Sequence, residues 1–281
     1  MHPVINLELL NYSLAISSYS LFTILAAVTV MGCTFTLANR QGFPRGRILL
    51  WILVTGLAVP VGARLLYLMT NPHGLDNLGG IWTLRPVGFA LYGGLILAVV
   101  LGYLASRAWR LPLWPLADIT AFSLGLGIMV VRIGCFLNGC CFGKITDLAW
   151  GITFPPGSQA HIYQLNHGLA KAGWFGLPFL AQPVHPTQLL EMGAGLIGAI
   201  LVAYFMKSKN RRAGTGFLVF TIWFTSFRWG NSYLRVASSQ NVTPPYFYPL
   251  LYIAIILLCI ALLVFLNQSH TNKPSMVEEE E

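Results

Sequence analysis

Seven apolar stretches run along the chain, at 18–38, 48–70, 88–106, 115–137, 188–206, 214–233 and 247–267. Each is close to the length of about 20 residues that carries a helix across the hydrocarbon core of a bilayer. The pattern predicts an all-α integral membrane protein with about seven transmembrane helices. Pro60 falls inside the second stretch and should kink it, because proline removes a helical N–H donor. The fourth stretch ends among Gly134 and Asn138, and the sixth carries Arg228 and Asn231. Such helices are tolerated when their polar faces point toward protein rather than lipid. The one long connection is 138–187, between helices four and five, with Pro155-Pro156-Gly157-Ser158, His161, Tyr163, His167 and Trp174. A connection of that length is often a lid or binding loop. Residues 1–267 read as a single helical domain, and 268–281, ending in Glu278 to Glu281, as a solvated acidic tail.

Composition supports the membrane reading. Of 281 residues, 56% are hydrophobic and 9% charged, where a soluble domain carries about a quarter charged. The net charge is +8, and its distribution orients the chain. With the N-terminus outside, the inner segments hold Arg40, Arg45, Arg47, Arg107, Arg110, Lys207, Lys209, Arg211, Arg212 and Lys273. The outer ones hold only Arg85, Lys144, Lys171 and Arg235. Ten against four satisfies the positive-inside rule, and the opposite orientation would violate it. The loop 138–187 then lies on the outer face, and the tail inside. No Lys or Arg precedes the first apolar run, which argues against a cleaved signal peptide. No nucleic-acid-binding motif accompanies the basic excess.

The other three basic residues, Arg64, Arg132 and Arg228, lie within apolar stretches. A guanidinium at the centre of a membrane helix costs at least about 2.5 kcal/mol, so three of them point to a function. Each lies within several residues of the outer end of a helix running from inside to outside, which places them in one layer. A single arginine can snorkel to the interface. Three in one layer suggest a site for an anion, and a lipid phosphate is the commonest anion inside a bilayer.

The densest polar constellation is Arg132-Ile133-Gly134-Cys135-Phe136-Leu137-Asn138-Gly139-Cys140-Cys141-Phe142-Gly143. Its glycines permit close approach and tight turns, and Asn138 offers both donor and acceptor. Helix packing through small residues explains the glycines but not Arg132. A second segment, His185-Pro186-Thr187-Gln188-Leu189-Leu190-Glu191, opens the fifth helix. Pro186 suits a first helical turn, and His185 or Thr187 could cap it. His185 and Glu191 are six residues apart, so they lie on different sides of a helix and are not a simple metal pair. Glu191 enters the apolar stretch and calls for an arginine or asparagine partner. Cys135, Cys140 and Cys141 cluster near the outer face, where a disulfide or a thiol activated by Arg132 are the readings. A metal site with His185 is a third, although the spacing matches no standard ligand set. Tyr19 and Tyr92 lie at the outer ends of helices one and three, where belt tyrosines are usual.

Taken in order, these residues resemble the prolipoprotein diacylglyceryl transferases, bacterial inner-membrane enzymes. The likeness runs from Tyr19 through Gly62-Ala63-Arg64, Gly93-Gly94, Asp118, Arg132-x-Gly134, Asn138-Gly139, Gly143 and His185-Pro186-x-Gln188-x-x-Glu191 to Arg228 and Arg235. There are departures. The family carries His before the paired glycines where this chain has Tyr92, Asn at Cys135, Glu at Cys140 and Glu at Ser232.

The resemblance implies transfer of a diacylglyceryl group from phosphatidylglycerol to the lipobox cysteine thiol of a prolipoprotein, with release of glycerol phosphate. It places the protein in the bacterial inner membrane, with 138–187 in the periplasm, and needs no cofactor or metal. Arg132 and Arg228 are the expected holders of the phosphate and its leaving charge, with Arg64 in support. Tyr92, His185 and Cys140 are candidates to take the thiol proton. Tyr19, Gly93, Gly94, Asn138, Gly139, Gly143, Glu191 and Arg235 are expected to bind or align substrate. The departures leave open a relative that uses the same lipid site for another acceptor. A transporter of a small anion is a further alternative, but the inner halves of the helices lack the charges that a continuous path would need.

Overall fold

The computed structural model describes residues 4–9, 12–70, 91–170, 180–208, 211–236 and 246–271. A two-stranded antiparallel hairpin comes first, β1 (Val4–Leu9) and β2 (Tyr12–Ser17), in register from Val4 opposite Ser17 to Leu9 opposite Tyr12. Eight helices follow: α1 (Ser18–Arg40), α2 (Arg45–Thr70), α3 (Leu91–Ala108), α4 (Leu113–Asn138), α5 (Gln159–Asn166), α6 (Thr187–Lys207), α7 (Thr215–Leu234) and α8 (Phe247–Thr271). The body is helical as expected. The hairpin is an element that hydropathy did not indicate. Every expected apolar stretch has its helix, and α2 continues through Pro60.

Among the described residues, five helices are long and apolar enough to cross a membrane: α1, α2, α4, α6 and α8. The chain is thus a multi-pass membrane protein. The described apolar part of α3 is shorter, from Gly93 to Ala108. Helix α7 carries Arg228, Asn231 and Ser232 among its apolar residues. Outward-facing residues such as Leu57, Ile96, Ile200 and Phe265 are strongly exposed, as suits helices whose solvent is lipid.

The helices form two compact units, one of residues 1–30 and 120–281 and one of residues 31–119. In the second unit α2 and α3 touch backbone to backbone. A Cβ on Gly62 would collide with the Gly93 carbonyl, one on Gly93 with the Gly62 carbonyl, and one on Gly94 with the Val59 carbonyl. Contact through small residues is a common means of helix association in lipid, where no hydrophobic drive separates the helices from the solvent. Trp51 Nε1 locks the other end of the pair by donating to the Gly102 carbonyl at 2.9 Å and to Ser106 Oγ at 3.0 Å.

In the first unit Ser17 begins α1 by accepting a hydrogen bond from the Ser20 N–H at 3.1 Å. Gly134 on α4 lies under Phe22 of α1. Helices α4 and α6 approach at Gly125 and Gly195, where a Cβ on Gly125 would stand 2.7 Å from the Gly195 carbonyl. Helices α6 and α7 meet where Trp223 Nε1 donates to the Ala194 carbonyl at 2.9 Å. A small core of Ala121, Val202 and Phe220 lies among these helices.

The described part of the segment between α4 and α6 is folded rather than trailing. Ser158 Oγ caps α5 by accepting from the His161 N–H at 3.2 Å. Phe154, Ala160 and Val184 make a core of their own, flanked by Phe136, Phe142 and Ile145. Gln164 and Gln182 exchange two hydrogen bonds, of 3.1 and 2.7 Å, across that loop. Trp174, Arg85, Lys171, Lys209, Lys273 and the acidic tail lie outside the described residues.

Candidate active site

Glu191, in the second turn of α6, is 1% exposed, and its carboxylate organises the first unit. Arg132 from α4 pairs with one of its oxygens and Arg228 from α7 with the other. Asn231 Nδ2 donates to Oε1 at 3.0 Å, and Arg235 Nη1 stands 3.7 Å from the same oxygen. The arginine and asparagine partners expected for Glu191 are therefore both present. An unpaired carboxylate at this depth would be prohibitively costly. Three guanidinium groups against one carboxylate leave two positive charges, however, so the cluster remains cationic. The side chains of Arg132, Arg228 and Arg235 are 15%, 28% and 25% exposed. Arg132 Nε is buried and has no hydrogen-bond partner among the described residues.

The thiols adjoin this cluster. Arg132 Nη1 donates to Cys135 Sγ at 3.6 Å, so one arginine touches both the carboxylate and a sulfur. The Sγ atoms of Cys135, Cys140 and Cys141 lie within 4.8 Å of one another, and all three cysteines are free. The disulfide, one of the readings that the sequence left open, is not formed among these three thiols. Beyond the helix, hydrogen bonds with Cys135 and Cys140, and the positive charge of Arg235 and Arg132, hold the Cys141 thiol well below the ordinary thiol range. The Cys140 thiol moves the other way: its bond with Cys135 lowers it, but its bond with Cys141 and its burial raise it more. Asn138, at the end of α4, lies beside the Cys140 thiol and favours its ionised form, while that thiol donates to the Cys135 carbonyl at 3.6 Å.

Local sequence explains how the cysteines come to converge. Gly139 leaves α4 with φ 68°, where an L side chain is strained. A Cβ there would also press on Ser158 at 3.1 Å. Cys141 itself adopts φ 60°, an uncommon state for a non-glycine residue. The start of α6 clamps the turn: Thr187 Oγ1 donates to the Cys141 carbonyl and Gln188 Nε2 to the Cys140 carbonyl, both at 2.7 Å. Gly143 is the junction. Its N–H donates to the His185 carbonyl at 3.0 Å, and Lys144 N–H reaches the Leu234 carbonyl at 2.7 Å. A Cβ on Gly143 would lie 2.6 Å from His185 Cβ and 2.8 Å from the Leu234 carbonyl. Only glycine lets the α4 exit, the α6 entry and the α7 exit close together, and Arg235 follows directly on that last segment.

His185 is placed differently from the expectation. Its Nδ1 accepts a hydrogen bond from Trp150 Nε1 at 3.1 Å. Indole is a donor only, so Nδ1 holds no proton and the neutral ring carries its proton on Nε2. In this arrangement His185 offers a donor rather than a vacant base, and protonating Nδ1 would break the Trp150 bond. Nor does it cap α6, which begins at Pro186 without any side-chain cap. Thr187 likewise turns to the Cys141 carbonyl. Arg64 belongs to the second unit, where its guanidinium carbon lies 5.7 Å from the Tyr67 ring centroid. Gly93 and Gly94, expected at the substrate, meet the α2 backbone. Tyr19 opens α1 and is half-buried. Tyr92 falls in the first turn of α3, and its side chain lies outside the described part.

The fold and the site define a class: a multi-pass membrane protein that holds a net cationic cluster and a group of thiols where helices end. Membership follows from the sequence comparisons. The chain belongs to the prolipoprotein diacylglyceryl transferase family, whose model matches residues 7–267. It is similar to a phosphatidylglycerol–prolipoprotein diacylglyceryl transferase of Rhodopirellula baltica, 30% identical over 188 residues, covering 63% of this chain and 37% of that protein. The protein of that name from Solidesulfovibrio magneticus is 29% identical over 66% of this chain and 63% of its own length. The one from Proteus mirabilis is 31% identical over 73% of this chain and 72% of its own length. The chain thus spans about a third to two thirds of the first two relatives.

Proposed function

We propose that this protein transfers a diacylglyceryl group from phosphatidylglycerol to the cysteine thiol of a prolipoprotein, releasing glycerol phosphate. It works in the bacterial inner membrane as a single domain of residues 1–267. Seven helices cross, with the N-terminus and the 138–187 loop outside. The observation that carries the reading is the buried cluster of Arg132, Arg228 and Arg235 around Glu191. It keeps two positive charges at the ends of apolar helices, where lipid phosphate is the abundant anion, and it adjoins the loop that follows α4, which can receive a peptide.

The roles follow from geometry and chemistry. Arg132 and Arg228 hold the phosphodiester and stabilise the charge that grows on the leaving oxygen, with Arg235 close by. Arg132 does so with an uncommitted Nε–H. Glu191 and Asn231 fix the guanidinium planes, so the donors need no reorganisation during reaction. Gly139 and Gly143 position the segment between Asn138 and Arg235. Tyr19, in the same unit, completes the lipid-binding set.

The test is direct. Purified protein is incubated with labelled phosphatidylglycerol and a lipobox peptide. Thioether-linked peptide and glycerol phosphate should appear in equal amounts. Hydrolysed lipid without modified peptide, or transport of an anion into liposomes without lipid turnover, would replace this reading.

A further inference from the structure

The thiol cluster goes beyond what phosphate binding needs. We infer that Cys135, Cys140 and Cys141 form a three-thiolate site for zinc, whose open fourth position takes the acceptor thiol. This deepens the proposed function and rests on it.

The three Sγ atoms lie within 4.8 Å of one another. Zn–S bonds of about 2.3 Å put the sulfurs of a tetrahedral site roughly 3.8 Å apart, a spacing that small rotations of the side chains would reach. The ligand backbone is already fixed. Cys135 is buried on α4, while Thr187 and Gln188 hold the carbonyls of Cys141 and Cys140 to α6. The left-handed φ of Cys141 turns the chain so that two adjacent residues and one five positions earlier converge. The charges also match. Three thiolates and Zn²⁺ sum to minus one, and the neighbouring guanidinium–carboxylate cluster carries a net plus two, with Arg132 touching Cys135 Sγ at 3.6 Å. Soft thiolate ligands favour zinc or monovalent copper. Zinc alone keeps a tetrahedral fourth position, the arrangement of catalytic rather than structural sites.

The chemistry fills a gap in the proton path. The acceptor thiol must become a thiolate before it can attack carbon. His185, one candidate for that proton, has its Nδ1 engaged by Trp150. A thiol that binds a metal ion loses its proton outright. In the step proposed, the acceptor R–SH binds zinc and releases H⁺ to water. The sulfur electron pair then forms a bond to the glyceryl CH₂ carbon, and the C–O bond to phosphate breaks with its electron pair on oxygen. The products are a neutral thioether, which leaves zinc, and glycerol phosphate with one more negative charge than the phosphodiester had. No oxidant or reductant takes part.

The full chain, reduced and stripped with chelator in detergent, is titrated with Zn²⁺ and with Co²⁺. One metal per chain should bind, and the cobalt form should show thiolate-to-metal charge transfer with tetrahedral ligand-field bands. Cys140→Ser and Cys141→Ser should each lose stoichiometric binding while keeping the helical circular dichroism of the parent. A lipobox peptide should shift the cobalt bands, and the same peptide with alanine for cysteine should not. Chelator should lower transfer on the order of a hundredfold, the contribution of a positioned proton acceptor, and zinc should restore it. Absence of stoichiometric metal, retention by both serine variants, or full transfer by stripped protein would overturn the metal site and leave the transferase reading intact. Metal binding with a peptide-dependent shift but no thioether from phosphatidylglycerol would do the reverse.

Discussion

Replacing Glu191 by glutamine tests the organisation of the site without changing its shape. The carboxylate is 1% exposed and answers to Arg132, Arg228 and Arg235. Glutamine keeps an acceptor oxygen but removes the charge, so the cluster goes from plus two to plus three. Two guanidinium charges about 5 Å apart repel by roughly 3 kcal/mol at an effective dielectric constant near 20. Removing one partner of a buried pair costs about 3–5 kcal/mol. The two figures describe the same loss and are not summed. Glu191→Gln should therefore lose about 3 kcal/mol. The assay is unfolding against SDS mole fraction, followed by tryptophan fluorescence, in a neutral detergent and again with phosphatidylglycerol added. Anionic lipid supplies the missing counter-charge and should restore more stability to the variant than it adds to the parent. A loss below about 1 kcal/mol, the value of an exposed pair, or equal lipid increments for both proteins, would refute a buried cationic anion site.

Arg132→Ala should lower transfer by about 10²–10³-fold, as loss of one oxyanion donor does, with helical content unchanged; full activity would remove Arg132 from the mechanism. Gly143→Ala should cost about 1–3 kcal/mol, the range for forced overpacking, and weaken lipid binding by displacing Arg235. An unaltered unfolding midpoint would show that the junction yields freely. Gly93→Ala should likewise destabilise the α2–α3 contact, because its Cβ meets backbone that cannot rotate away, as read by proteolysis within residues 31–119. In metal-free protein, Cys141 should be alkylated by iodoacetamide well below the ordinary thiol range, since a lowered pKa keeps the thiolate present as pH falls. Cys140 should need a higher pH, and identical pH profiles at the two positions, mapped by mass spectrometry, would contradict the asymmetry.

What was legible in the sequence was whatever a bilayer forces into the open. Hydrocarbon demands long apolar runs, so the helices could be read off to within a few residues. It also makes a buried charge conspicuous, so Arg132, Arg228 and Glu191 stood out, and so did the need for a partner to Glu191. Arg235 was counted with the outer loop because it lies beyond the apolar run. The resemblance nevertheless named it as a substrate contact, and its spacing of three, four and seven residues from Ser232, Asn231 and Arg228 agrees, since residues so spaced share a helix face. The engagement of His185 by Trp150 could not be read. It joins residues 35 apart within a loop that has no repeating pattern. The convergence of three thiols depended on one left-handed residue at Cys141, which composition does not signal. Gly93 and Gly94 resembled a substrate contact by motif, yet the structure packs them on α2. A glycine that admits a ligand and one that admits another helix look the same in one dimension.

The carboxylate at the centre of an anion site has a thermodynamic use. A cluster of three arginines alone would bind any phosphate tightly, substrate and product alike, and uniform binding does not speed a chemical step. With Glu191 in place the net charge is plus two, and the guanidinium donors facing Glu191 are already paired. In the proposed transfer, phosphatidylglycerol brings a phosphodiester with one negative charge. The departing glycerol phosphate is a monoester with about 1.5 to 2 negative charges near neutral pH. The cluster therefore matches the charge that develops rather than the charge that arrives, which is the condition for stabilising a transition state over a ground state. The proposed transfer moves one unit of negative charge from sulfur to phosphate oxygen. Arg132 contacts both Cys135 and Glu191, so it links the thiols to the cationic cluster. A reaction so arranged should slow when charge is added at Glu191 as well as when it is taken from Arg132: Glu191→Gln should tighten glycerol phosphate binding while lowering turnover. Weaker product binding by that variant would contradict the charge-matching argument, even if the stability loss came out as expected.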